Sequence, residues 1–194
     1  MSILRFPIEI DARIGIVPGN ETCVYIKTGK GDSIYGYEGK YIAIAMRIYK
    51  DFGYTVCVSA NPMGEDCVLS DEIAELKNRH AGIKEIHYIG ISNGALVGAQ
   101  QAHQIETIKR MLLINGPLMI NWHKTKAGVE KFNGKEVVFV YGEKDPSFKY
   151  YDLLGLIKSN VVKKNFVCGA DHNFSGMANE FRELVLFFVG NSLE

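Results

Sequence analysis

Between residues 85 and 101 the chain reads EIHYI, GISNG, ALVGAQQ: an apolar run, a turn bounded by glycines, and a helix-compatible stretch without a break. A strand that converts so abruptly into a helix brings two backbones together. Gly90 and Gly94 suit that crowding because a Cβ would have no space. Ser92 at the centre is then expected in a strained backbone conformation, with its hydroxyl exposed at the N-terminus of the helix. By composition alone the pattern GxSxG would arise by chance roughly 0.1 times in such a chain, so the strand and helix around it carry the argument.

The rest of the chain repeats this alternation. Strand candidates are Cys23–Thr28, Thr55–Ala60, Glu85–Ile91, Arg110–Asn115, Glu136–Tyr141 and Asn165–Cys168. They are nearly continuous apolar runs, as expected of a mostly parallel central sheet covered by helices on both faces. Between them, Tyr41, Ile44, Ile48 and Phe52 share one helical face. A second helix is expected from an N-cap at Ser70, with Asp71 and Glu72 in its first turn and Lys77 and Arg79 in its last. Lys124–Phe132 reads as one more helix, and a final one starts near Ser175. Before residue 20, IEIDARIGIV alternates like one antiparallel edge strand. With no repeat or linker, residues 1–194 are expected to form a single α/β domain without a lid domain.

A serine hydroxyl needs a base to take its proton, and the base needs a partner to hold its tautomer. Where the serine sits on such a turn, the acid and the histidine follow it in the chain. Of His80, His87, His103, His123 and His172, only His172 follows a late strand, in GADHNF. The acid is best placed at Asp145, in VVFVYGEKDP, where Gly142 turns the chain and Pro146 stops the strand. Glu143, Asp152 and Asp171 compete with it. An oxyanion hole needs two backbone amides, expected from Asn93 and from Lys30 in the turn Thr28-Gly29-Lys30-Gly31. Met119, Ile120 and Trp122 are candidates for a pocket wall or for core packing.

Composition narrows the alternatives. Twenty-two basic and 22 acidic residues cancel, which supplies no attraction for nucleic acid or anionic lipid. No apolar run reaches the ~20 residues of a membrane span. The N-terminus carries Arg5, Glu9 and Asp11 where a signal peptide would be apolar, so a cytoplasmic location is expected. Cys23, Cys57, Cys67 and Cys168 have no metal or redox spacing and are expected as buried free thiols. No P-loop or dinucleotide fingerprint occurs.

On GISNG, GEKD and GADHNF, residues 20 to 190 resemble the α/β-hydrolase superfamily, in particular its compact cap-less esterase-like members. The resemblance implies a serine hydrolase with Ser92, Asp145 and His172 as catalytic triad, acting on a small ester, thioester or amide without cofactor or metal. It implies a small-molecule acyl substrate as the partner, with no nucleic acid and no membrane, and leaves a homo-oligomer open. The sequence departs from many members at the oxyanion loop, which has Thr28-Gly29 rather than His-Gly, and at Asn61-Pro62-Met63-Gly64 after the second strand. The competing class is a non-catalytic ligand-binding protein on the same fold. In this superfamily lids enter ahead of the acid-bearing strand. Here the interval from Asn115 to Glu136 has room for one helix, so short, soluble acyl groups are expected.

Overall fold

The computed structural model describes residues 5–191. Its centre is an eight-stranded sheet in the order β1-β2-β4-β3-β5-β6-β7-β8. The strands are β1 (Ile8–Ile10), β2 (Ile14–Val17), β3 (Thr22–Lys30), β4 (Thr55–Asn61), β5 (Glu85–Ile91), β6 (Ile108–Ile114), β7 (Glu136–Gly142) and β8 (Val162–Val167). From β3 onward all neighbours run parallel, and only the β1–β2 and β2–β4 pairs are antiparallel. The helices are α1 (Lys40–Phe52), α2 (Leu69–Arg79), α3 (Asn93–Gln101), α4 (Trp122–Glu130) and α5 (Ala178–Gly190).

Two apolar layers explain why the strands read as continuous hydrophobic runs. Along β3, Cys23 and Tyr25 pack with Ile73 and Leu76 of α2, Val97 of α3 and Val129 of α4. Val24 and Ile26 point the other way, toward Ile44 and Ile48 of α1 and Phe181, Val185 and Phe188 of α5. Alternate side chains of one strand thus enter opposite cores. Because the connections are strand to helix to parallel strand, the carboxyl ends of β3, β5, β6, β7 and β8 share one edge of the sheet. That edge is where α/β folds place their sites.

Several local expectations need correction. IEIDARIGIV is a hairpin of two strands, not one. Asp11 and Ala12 both take positive φ (49° and 53°), the geometry of a tight primed turn, without the glycine that normally signals it. Helix α2 begins at Leu69, ahead of the expected cap at Ser70, because the Gln101 side chain accepts the Leu69 amide at 2.8 Å. Strand β8 starts at Val162 and ends before Cys168; its lysines Lys163 and Lys164 conceal it, as solvent-facing edge strands allow. Helix α4 starts two residues early, at Trp122, capped by the Asn121 side chain. Helix α5 starts at Ala178, since positive φ at Phe174 and Gly176 keeps the segment around Ser175 non-helical. Of the four thiols only Cys23 and Cys57 are buried, and Cys168 is exposed.

Candidate active site

Ser92 joins β5 to α3 with φ 52° and ψ −118°, outside the regions open to ordinary L-residues. Such a conformation costs about 1–3 kcal/mol and survives only where its surroundings hold it. The Ser92 amide donates to the Ile114 carbonyl at 2.8 Å, and its carbonyl accepts the Ala95 amide at 3.0 Å. The Tyr88 hydroxyl fixes the Gly94 carbonyl at 2.7 Å. The glycines answer to the crowding read from the sequence. A Cβ on Gly94 would lie 2.2 Å from the Lys27 carbonyl oxygen, and one on Gly90 would lie 2.6 Å from the Ala95 backbone.

Three side chains from three loops meet here. His172 Nε2 lies 3.0 Å from Ser92 Oγ, and His172 Nδ1 lies 2.5 Å from Asp145 Oδ2. Asp145 is buried, and its other oxygen accepts the Ser147 amide at 2.6 Å. The hydrogen bond to Asp145, supported by that carboxylate's charge, raises the His172 pKa above its usual 6.5, against the opposing effect of burial. The competing carboxylates are engaged elsewhere. Asp171 accepts the amides of Asn173 and Ser175 (3.0 and 2.9 Å) and so shapes the loop beside the histidine. Glu143 accepts the Gly169 amide, and Asp152 stands exposed beside Lys164.

On the other side of the serine, the end of β3 passes close by. A Cβ on Gly29 would approach Ser92 Cβ to 3.3 Å. The Gly31 amide donates to the Asn61 carbonyl of β4 at 2.6 Å. Lys30, the last residue of β3, lines the same cleft as Ser92. The Asn93 amide opens α3, where first-turn N–H groups have no intrahelical partner. Among the described residues neither amide is engaged in a turn or loop hydrogen bond.

A cleft of about 960 Å³ adjoins Ser92 and His172, between the N-terminal ends of α1 and α5. Gly29, Lys30, Lys40, Tyr41, Phe174 and Phe181 form part of its wall. The expected wall residues Met119 and Trp122 are not among them. They border a separate crevice of about 10 Å³ with Tyr141 and Leu154, and Trp122 packs against the core beneath α2, α3 and α4. The cleft lies on the opposite layer, while Ile120 is exposed.

Sequence reasoning missed residues that brace the site. Asn115 is buried, with φ 50°. Its side-chain oxygen accepts the Gly142 amide at 2.7 Å, and its Nδ2 donates to the carbonyls of His172 (2.9 Å) and Asp171 (3.3 Å). Asn61 donates to the Asn93 side chain at 2.9 Å. Behind β3, the buried Lys27 ammonium bonds Glu72, Ser59 Oγ and the Ala60 carbonyl at 2.7, 3.0 and 2.7 Å. Burial works to raise the Glu72 carboxyl, but the Lys27 charge and the hydrogen bonds from Lys27, Tyr25 and Ser59 together outweigh it, and the group titrates below the ordinary range. A polar residue at the carboxyl end of an apolar strand, as at Asn61 and Asn115, was the available signal.

Among the described residues no group of three or more His, Cys, Asp or Glu side chains is arranged to hold a metal, and no helix is long and apolar enough to cross a membrane. No protein-family model and no curated protein matches the sequence. Solved structures do. Est1E from Butyrivibrio proteoclasticus is similar at 14% identity and TM-score 0.68, over 95% of this chain and 98% of that one. An alpha-beta serine hydrolase homologue from Coxiella burnetii matches at 16% and 0.68, over 96% and 99%. The esterase Pf2001 from Pyrococcus furiosus matches at 15% and 0.65, over 89% and 83%. At these identities the likeness concerns the fold.

Proposed function

We propose, from the α/β-hydrolase fold that this chain adopts, that it is a serine hydrolase cleaving a small ester, thioester or amide through an acyl-enzyme on Ser92. The observation that carries the reading is the relay Ser92 Oγ, His172 and Asp145, at 3.0 and 2.5 Å, on a backbone strained at the serine. Strain kept at one residue by several hydrogen bonds points to use rather than accident. The names of the solved structures agree with it: one is a serine hydrolase homologue and another an esterase.

In this reading His172 Nε2 takes the hydroxyl proton as Ser92 Oγ attacks the carbonyl carbon. Asp145 holds the Nδ1–H tautomer and stabilises the imidazolium. The oxygen that becomes negative is met by the amides of Asn93 and Lys30, the former aided by the partial positive charge at the start of α3. Collapse returns the proton to the leaving group. Water, deprotonated by the same histidine, then releases the acid and regenerates Ser92. Every step uses groups of the chain itself, and none calls for a cofactor or metal.

The test pairs a fluorophosphonate probe with a graded panel of p-nitrophenyl esters. Wild-type protein should be labelled on Ser92 and should hydrolyse acetate and butyrate esters better than palmitate. Ser92→Ala should lose the label and at least about 10³-fold in kcat. A protein that takes no label and turns over no ester, thioester or amide is a binding protein on this fold, and the proposal fails.

A further inference from the structure

The cleft contains a cation that acyl transfer does not require. Lys40 opens α1 half-buried, with Nζ 4.9 Å from the ring centroid of Tyr41 and 5.5 Å from that of Phe181. Among the described residues it has no carboxylate within 4.0 Å and no hydrogen-bond acceptor. Arg182, half-buried on α5, bonds the Asn179 side chain and, among the described residues, no carboxylate. Of the cleft's two carboxylates, Asp32 bears on Lys40 through its charge but forms no direct ion pair with it. Asp32 accepts the Tyr41 hydroxyl at 2.9 Å and the Ser33 amide at 3.1 Å, and Glu38 is exposed on the rim.

A partly desolvated ammonium without a directly bonded anion is costly, and here burial lowers the Lys40 pKa from its ordinary value against the opposing charge of Asp32. Two aromatic faces offset part of that cost, but neither supplies the charge-assisted hydrogen bond that an anion would. The same ammonium bears electrostatically on His172, so it sits at the reacting end of the cleft.

We propose that Lys40, assisted by Arg182, is the specificity-determining anion site of this cleft. The substrate it selects carries a carboxylate remote from the scissile carbonyl. The inference rests on the serine-hydrolase reading of Ser92 and names its substrate class.

The experiment compares mono-p-nitrophenyl adipate, which bears a free carboxylate, with its neutral methyl ester. A second pair, 4-acetoxybenzoate and its methyl ester, puts the carboxylate on the leaving group. In wild-type protein one pair should show kcat/KM at least about tenfold higher for the anionic member, mainly through KM. That ratio should fall toward one in Lys40→Met, be largely kept in Lys40→Arg, and drop partly in Arg182→Gln. Should Lys40→Met not fold, Lys40→Gln and the loss of the wild-type ratio on going from about 0.05 to 0.5 M salt decide the same question. Equal rates for both members of both pairs, or a ratio unaltered by the lysine substitutions, overturn the anion site and leave the hydrolase reading standing. No turnover of any ester together with no phosphonate label overturns the hydrolase reading, and the anion site with it.

Discussion

The side-chain amide of Asn115 donates to the backbone carbonyl of His172 across 2.9 Å, while its oxygen holds the Gly142 amide at 2.7 Å. One buried side chain at the end of β6 thereby ties the end of β7, which leads to Asp145, to the loop that carries the histidine. Asn115→Ala removes three hydrogen bonds and should lower kcat by about tenfold or more with a smaller change in KM. The measurement that separates positioning from stability is the His172 imidazole resonance in NMR titrations. A folded variant with an unaltered titration and full kcat would show that the bridge does not place the base.

Asp145 and Asp171 lie near the same histidine but do different work. Asp145→Asn should fold and lose most activity, about 10³–10⁴ in kcat, because an amide stabilises the wrong tautomer. Asp171→Asn should retain more than a tenth of wild-type kcat/KM. Its loss touches the loop amides of Asn173 and Ser175 and removes a charge that contributes less to the His172 shift than Asp145 does. The reverse ranking would move the acid role to Asp171.

The pH profile follows from the sign of the His172 shift. The base must be neutral to accept a proton, and the bond to Asp145 raises its pKa above 6.5. Activity should therefore rise with pH through a midpoint above that value, higher than an isolated imidazole would give. By the same linkage the pair's stabilisation is full below the unfolded-state pKa and is lost as pH rises through the folded one. A kcat/KM profile with its midpoint below 6.5, or flat from pH 5 to 8, would contradict this.

At Gly94 a methyl group would meet the Lys27 carbonyl oxygen at 2.2 Å, a backbone atom of the strand that leads to Lys30. Gly94→Ala should cost about 1–3 kcal/mol of stability from overpacking and should lower kcat by forcing β3 and α3 apart. Gly155→Ala, where a Cβ meets nothing within 4 Å, is the control and should do neither. Urea denaturation and phosphonate labelling rates check both effects.

How much of this was legible depended on whether a signal was local. The turn at Ser92 announced itself because close approach of two backbones demands glycine at Gly90 and Gly94. The parallel strands β3 to β7 were visible because burial on both faces leaves few polar positions, whereas the solvent-facing β8 was legible only from Asn165 onward. The β1–β2 turn was not, since Asp11 and Ala12 reach positive φ without glycine. The start of α2 was hidden because the partner of Leu69, Gln101, is 32 residues away. Lys27 sits in a strand that reads as apolar, and only the fold supplies Glu72. The layer that holds the cleft was concealed for the same reason: sequence order puts Trp122 near the serine's helix, but the packing of α1 against α5 decides where space is left.

Strand β8 is bonded to β7 alone, and most of its side chains face solvent, yet the loop it launches brings His172 to Ser92. The serine turn, by contrast, is enclosed by β3, β5, β6 and α3. Their opening free energies should differ accordingly, since weakly buried edges exchange with solvent well before the centre. Catalysis would then be the first property lost under mild denaturant, while tertiary structure elsewhere persists. Hydrogen exchange should find the β8 amides opening by a sub-global route at denaturant levels where the β5 amides stay protected, with activity following β8. If activity instead declines only with β5, the edge strand and the centre belong to one cooperative unit.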